Sequence, residues 1–396
     1  MRLAPLLAAV VLLPACTDTS RNATPAPTQP GPAASASATP SGRTQEAPPG
    51  TPPTTTPPAA ARPVPRGFSP RSASFVSESR GWVLGATGKS AAVVETRDGG
   101  RTWSLSATFP VGLGEVAEAR HVRQVRFLNE RVGWLYGNET YVTRDGGATW
   151  RTVTMPGGRE LRAIAAVGDQ VYALLGRRTT DGFYDAAVWK GTVGSDTFTR
   201  ADAVDTDTLA DEIAVSGRTV LFGSGVTARV SNDGGRTWAN RTPCPKDMGV
   251  ENIAAVSERD VFFACVALYE HQFERSVRLS RDGGRTTVNR LHETNAWSGA
   301  RIAGSSPTRL VRALDPQGSE DDDTRSLQWS SDGGRTFHRT GPSVPDRETM
   351  DWQDLRFHTA TFVTAARHRW VESETYYALY ASRDGGRTWV RLPLGQ

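Results

Sequence analysis

Six aspartates sit in nearly the same eight residues: Asp98 in "TRDGGRTW", Asp145 in "TRDGGATW", Asp233 in "SNDGGRTW", Asp282 in "SRDGGRTT", Asp332 in "SSDGGRTF" and Asp384 in "SRDGGRTW". A carboxylate beside two glycines can hold a cation or a sugar hydroxyl, or it can cap its own turn. Calcium takes about six to eight oxygen ligands. One Asp per copy, with no second carboxylate at ligand spacing, makes a poor calcium site. Capping needs only what the motif has. The Asp oxygens accept from the turn's own N–H groups, and Gly-Gly supplies positive φ angles. The closing ring, Trp103, Trp150, Trp238, Phe337 or Trp389, tucks under the hairpin, a burial that contributes about 2–3 kcal/mol. The motif reads as structural.

The remaining reactive residues are few. His121, His271, His292, His338, His358 and His368 show no ligand spacing, so no metal is expected. Each Gly-Gly joins two strands and precedes no helix, so no phosphate loop and no cofactor are expected. Cys244 and Cys265 are expected to pair in an oxidising compartment; two unpaired thiols are the alternative. A pair would stabilise the fold by about 3 kcal/mol. The acidic run Glu320, Asp321, Asp322 and Asp323 and the basic run Arg367, His368, Arg369 and Trp370 fall at matching positions of successive repeats. They read as loops that together form a bipolar partner-binding patch. The alternative is two solvated loops, whose surface pairing would contribute only about 0–1 kcal/mol. Trp297, Trp352 and Trp370 offer stacking platforms for a glycan, or else core.

The elements that position these groups follow from the spacing. The octapeptides begin at 96, 143, 231, 280, 330 and 382, so the steps are 47, 88, 49, 50 and 52 residues. The 88 is two steps of 44, which predicts a degenerate copy near residue 190, where "VWKGTVGSDTF" lies. Each copy follows two strand-like stretches, such as "SASFVS" then "GWVLG", or "QVRFLN" then "GWLYG". Both counts give seven. Repeats of about 40–50 residues holding several short strands are the signature of a β-propeller. The fold is therefore expected to be all-β, a seven-bladed ring over residues 67–396, with each blade drawn from contiguous sequence.

Composition narrows the task. The chain of 396 residues carries 46 basic and 42 acidic residues, a formal net charge of +4. That near-balance argues against nucleic acid as a partner. Only Lys89, Lys190 and Lys246 are lysines, leaving 43 arginines. They look scattered along the chain, as a GC-rich genome would scatter them.

Residues 1–15 open with a basic residue and an apolar run from Leu3 to Leu13, shorter than the about 20 residues that span a bilayer and suited to a secretory signal. Residues 16–66 are rich in Pro, Ala, Thr and Ser. Such a segment buries too little surface to offset the entropy of ordering. It reads as an extended tether of at most about 3 Å per residue.

Three resemblances add to this reading. Leu13-Pro14-Ala15-Cys16 resembles the bacterial lipobox, with Pro14 an unusual occupant; it implies cleavage before Cys16, lipidation of its thiol and an anchor at the extracytoplasmic membrane face. Plain secretion or an uncleaved anchor is the alternative. The octapeptide resembles the Asp-box, the bacterial neuraminidase repeat, which lies between the third and fourth strands of such blades. The pattern of blades one, two and seven, "VRFLNERVGWLYGNETYVTRDGGATW" above all, is similar to the photosystem II assembly and stability factors. That likeness implies a non-enzymatic scaffold that holds membrane-protein subunits, with another extracytoplasmic or membrane protein as partner. Two other functions compete. A sialidase-like glycosidase would need the "RIP" stretch; "ARIAG" at Arg301 lacks its Pro, and those enzymes have six blades. A glycan- or cell-wall-binding module is the third reading.

Overall fold

The structure is a computed structural model that describes residues 61–113, 120–178, 184–204, 212–269, 272–296, 300–314, 327–341, 350–371 and 374–394. Among these residues seven sheets follow one another, each with its strands in chain order. Blade one is Ser69–Phe75, Gly81–Thr87, Ser90–Thr96 and Ser104–Phe109. Its inner strand thus begins at Ser69, ahead of the "SASFVS" stretch, because Pro70 and Ser72 also pair with the next strand. Blade two adds a fifth strand, Gly112–Leu113, parallel to its inner strand His121–Phe127. The other inner strands are Glu160–Val167, Ala214–Ser216, Gly249–Ala255, Ala300–Gly304 and Met350–Phe357. The ring is a seven-bladed propeller without an exchanged strand.

Alternation fills the seams. A strand points successive side chains to opposite faces, so each blade offers one apolar face to the blade before and one to the blade after. The result is seven apolar clusters, one per seam. The Gly-Trp pairs show how a seam is built. A Cβ on Gly81 would lie 2.2 Å from the Phe75 ring, so glycine lets that ring lie against the neighbouring strand. Trp82 then reaches across and stacks on Phe127 of blade two, with ring centroids 3.5 Å apart. Both ends of the ring enter the last seam: Val64 packs in the same cluster as Leu392 and Leu394.

The box turns are built by their own side chains. Asp98 accepts the backbone N–H groups of Arg101 and Thr102 at 3.1 and 2.9 Å and the Thr102 hydroxyl at 2.6 Å. These bonds, the Thr102 hydroxyl first, hold its carboxyl down at about 2. Thr96 Oγ1 receives the Gly100 N–H at 2.8 Å, and Gly99 and Gly100 have φ of 76° and 88°. Asp145, Asp233, Asp282, Asp332 and Asp384 repeat the carboxylate–threonine bonds. The indoles of Trp103, Trp150 and Trp389 donate to the second glycine's carbonyl of their own turn, while Trp238 packs edge-on against Phe222 and Phe337 lies beneath the Arg312 guanidinium.

The turns also hook blade to blade. The first glycine's carbonyl accepts a donor from the preceding blade: Trp82 to Gly146 at 3.0 Å, Lys190 to Gly234 at 2.7 Å, Asn232 to Gly283 at 2.9 Å and Arg383 to Gly99 at 2.6 Å. The spacing had asked for a copy near residue 190. There blade three turns between its third strand, Tyr184–Thr192, and its fourth, Thr199–Val204, through Gly194 at φ 84°. Asp196 of that turn pairs with Arg144 of blade two at 2.8 Å.

Candidate functional site

The inner strands share a defect. In blades one, two and three an extra residue bulges out of the ladder at the same place, between Pro70 and Ser72, between Val122 and Gln124, and between Leu161 and Ala163. The three extra residues are Arg71, Arg123 and Arg162. A bulge re-aims its side chain and increases the local twist. Here it turns three arginines toward one end of the central channel. Strand direction places that end opposite the box turns, on the face of the hairpins between second and third strands.

Arg126, Arg301 and Arg356 complete a well of about 120 Å³. Its six guanidiniums meet two carboxylates, Asp354 and Glu212. A wider channel of about 420 Å³ adjoins it, lined by Ile164, Ile213 and Ile253 together with polar groups such as Asn252 and His358. The Tyr136 hydroxyl, in the wall of the well, donates to Gln124 at 2.9 Å.

Asp354 organises the well. It lies in the bulge of blade seven, between Gln353 and Arg356, at a left-handed φ of 49°. Its Oδ2 accepts the Ser72 hydroxyl and the Ala73 N–H, both at 2.8 Å, and Arg126 Nη1 at 3.1 Å. Arg126 Nη2 bonds Oδ1, making the fork that guanidinium and carboxylate form best. Burial alone would raise the pKa of this carboxyl. Arg126, Arg356 and the hydrogen bonds outweigh it and hold the group at about 2. Asp354 is therefore ionised at neutral pH and has no proton to give. Glu212 bonds the Asn252 amide and lies 3.5 Å from Arg301; Asn252 in turn accepts the Ile302 N–H at 2.8 Å.

Four residues beyond Asp354, His358 follows the other end of the blade-seven inner strand. Its Nδ1 accepts the Phe75 N–H at 3.3 Å, and its Nε2 meets the Thr364 hydroxyl at 2.8 Å. Burial first, then Arg356, push its pKa down to about 3, so the ring is neutral.

The groups singled out in the sequence fall elsewhere. Glu320, Asp321, Asp322 and Asp323 lie outside the described residues, as do Cys16 and Trp297. Arg367, His368, Arg369 and Trp370 are not in a loop. They belong to the second strand of blade seven, Val363–Val371, paired along its length with Glu374–Ser382. Nine-residue strands carry the ladder past them, and His368 is buried with its ring stacked on Tyr377 at 4.7 Å. Trp352 is buried in the seam against Tyr380 rather than exposed as a platform. Cys244 and Cys265 form a disulfide that ties the approach to blade five onto its second strand. The arginines of the well were missed as a group. The signal was there as a repeated offset: "PRSASF", "VRQVRF" and "LRAIAA" each place Arg near the start of an inner strand.

Comparison with known proteins now bears on this ring. Residues 64–219, covering blades one to three and the start of blade four, match the model of the family described as photosynthesis system II assembly factor YCF48. This is an Asp-box propeller similar to those assembly factors. The solved structure of YCF48 bound to D1 peptide aligns with a TM-score of 0.51 at 18% identity, covering 84% of this chain and 95% of that one. YCF48 from Cyanidioschyzon merolae aligns with a TM-score of 0.53 at 14% identity, covering 84% and 97%. The WD40 repeats of RRP9 give 0.50 at 14% identity, covering 78% and 90%. At these identities the likeness is one of fold. No curated protein matches the chain.

Proposed function

We propose that this chain is a protein-interaction scaffold for assembling a membrane-protein complex, and that its arginine well takes an acidic, extended segment of the partner. The observation that carries this reading is the well itself, six arginines against two carboxylates, both already engaged. Such a concentration of one sign raises the local concentration of an oppositely charged ligand. Guanidiniums in fixed orientation favour carboxylates, which they grip in pairs. The match to the assembly-factor model over residues 64–219 supports the scaffold reading, and the YCF48 of one solved structure is bound to D1 peptide. By the same proposal the ring stands outside the cytoplasm, lipidated at Cys16 and held off the membrane by the Pro-rich stretch before residue 67. The lipobox-like "LPAC" supports the anchor.

The test is cross-linking and affinity capture of the tagged full chain from native membranes, read by mass spectrometry. The wild type should retain one defined membrane complex, and the pair Arg123→Glu and Arg301→Glu should lose it at an unchanged melting temperature. Equal capture by both proteins would reject the well. Release of a Cys16→Ser protein into the medium would support the anchor, and its retention would count against it.

A further inference from the structure

Blade seven is unlike the others at its rim. Its third strand runs nine residues, Glu374–Ser382, but its outer strand is only Val390–Arg391. The two pair at Tyr380 and Ala381, and the Leu392 N–H adds one bond to the Leu379 carbonyl at 2.8 Å. The third strand of blade five also runs nine residues, and its outer strand covers it from Phe273 to Leu279. The cause in blade seven is local. Pro393 brings no N–H to a ladder, and Leu394 turns into the last seam, its N–H on the Leu392 carbonyl at 3.0 Å. Among the described residues, the outer edge of Glu374–Ala378 has no pairing strand.

The direction of the free groups is set by the Leu379 bond. Backbone groups alternate sides along a strand, so with Leu379 facing the rim, Tyr377 and Thr375 face it too. Each offers an N–H and a C=O. This edge is also joined to the well. The Arg71 guanidinium, one wall of the well, donates to the Tyr377 hydroxyl at 3.3 Å and lies 5.9 Å from its ring centroid.

We infer that the edge of blade seven from Glu374 to Ala378 is a strand-addition site, and that its occupant is the extended stretch of the partner next to the acidic part held in the well. The inference rests on the reading of the well. Main-chain bonds supply affinity in this mode while side-chain pockets supply choice. The Arg71–Tyr377 contact makes the two surfaces continuous, so one chain can use both. An unpaired edge is otherwise a liability that folds cover or charge.

Two fluorescein-labelled peptides test it on the full chain by anisotropy: acetyl-GDDDD, which can fill only the well, and acetyl-TVTVTVGDDDD, which can also add a strand. The longer peptide should bind about tenfold tighter, the worth of one or two net hydrogen bonds. N-methylation of its alternate valines should remove that gain. Thr375→Pro, which deletes a rim-facing N–H, should remove it as well while leaving acetyl-GDDDD binding unchanged. Hydrogen exchange at Thr375 and Tyr377 should slow only with the longer peptide. Equal affinity for both peptides, with no protection at those amides, would overturn the edge and leave the well standing. Binding of neither peptide would overturn both.

Discussion

Asp354 of the last inner strand accepts the N–H of Ala73 of the first at 2.8 Å. The same carboxylate forks onto Arg126 of blade two. One side chain thus closes the ring and fixes the floor of the well, so ring stability and site geometry are coupled. Ser72 extends the chain of bonds, giving its hydroxyl to Asp354 while accepting the Val125 N–H at 3.2 Å.

Asp354→Ala should destabilise the ring by about 3–5 kcal/mol, because it leaves the buried Arg126 unpaired. It also puts a Cβ-bearing residue without a polar side chain at a left-handed φ. Asp354→Asn keeps the shape and tolerates that φ, so it should lose less stability but as much of the well's order. Chemical denaturation gives the first quantity and anisotropy with acetyl-GDDDD the second. Equal unfolding midpoints for wild type and Asp354→Ala would refute the coupling.

The ring should be acid-sensitive in two steps. His358 is neutral when folded down to about pH 3, whereas an unfolded histidine takes its proton near about 6.5. Between those values the unfolded chain binds more protons, so stability falls as pH falls, by up to about 1.4 kcal/mol per unit. Asp354, held at about 2, adds a further loss below the usual carboxylate range of about 3.9. His358→Asn, which can still accept the Phe75 N–H, should flatten the upper part of the profile. An unchanged slope between pH 6 and pH 4 (roughly the middle of the window) in that variant would contradict the assignment.

The boxes should behave as structure. Trp389→Ala removes a partly buried ring and should lower stability by up to about 3 kcal/mol. Asp384→Ala leaves the Arg387 and Thr388 N–H groups without their acceptor, and should also lower the melting temperature. Neither should change peptide affinity at a temperature where both variants stay folded. Selective loss of binding, at unchanged melting temperature, would restore a ligand role to the motif.

Reduction of the Cys244–Cys265 disulfide, which closes 21 residues, should lower stability by about 3 kcal/mol. Denaturation with and without reductant measures it, with the double serine variant as a control that no longer responds to reductant.

What the sequence displayed well was whatever repeats. The Asp-Gly-Gly turns and the Gly-Trp pairs recur at a blade's length, so blade number and strand order could be counted before any contact was known. The well resisted because closure assembles it. Arg126 and Asp354 are separated by 228 positions, and no local pattern marks them as partners. A bulge is equally hard to see, since Arg71, Arg123 and Arg162 interrupt a strand only in relation to the strand beside it. The run from Arg367 misled for a related reason. Four polar or aromatic residues look like a loop, but the nine-residue strands of blade seven, like those of blades three and five, absorb them.

Val64 and Leu394 lie in one apolar cluster, and the Leu105 N–H reaches the Arg62 carbonyl at 2.8 Å. The ring therefore begins and ends at one joint, and every blade is a continuous piece of sequence. Nothing in the ladder requires the break to be at that joint. A circular permutant that links the ends there, and opens instead between two other blades, should close the same ring from a different starting point.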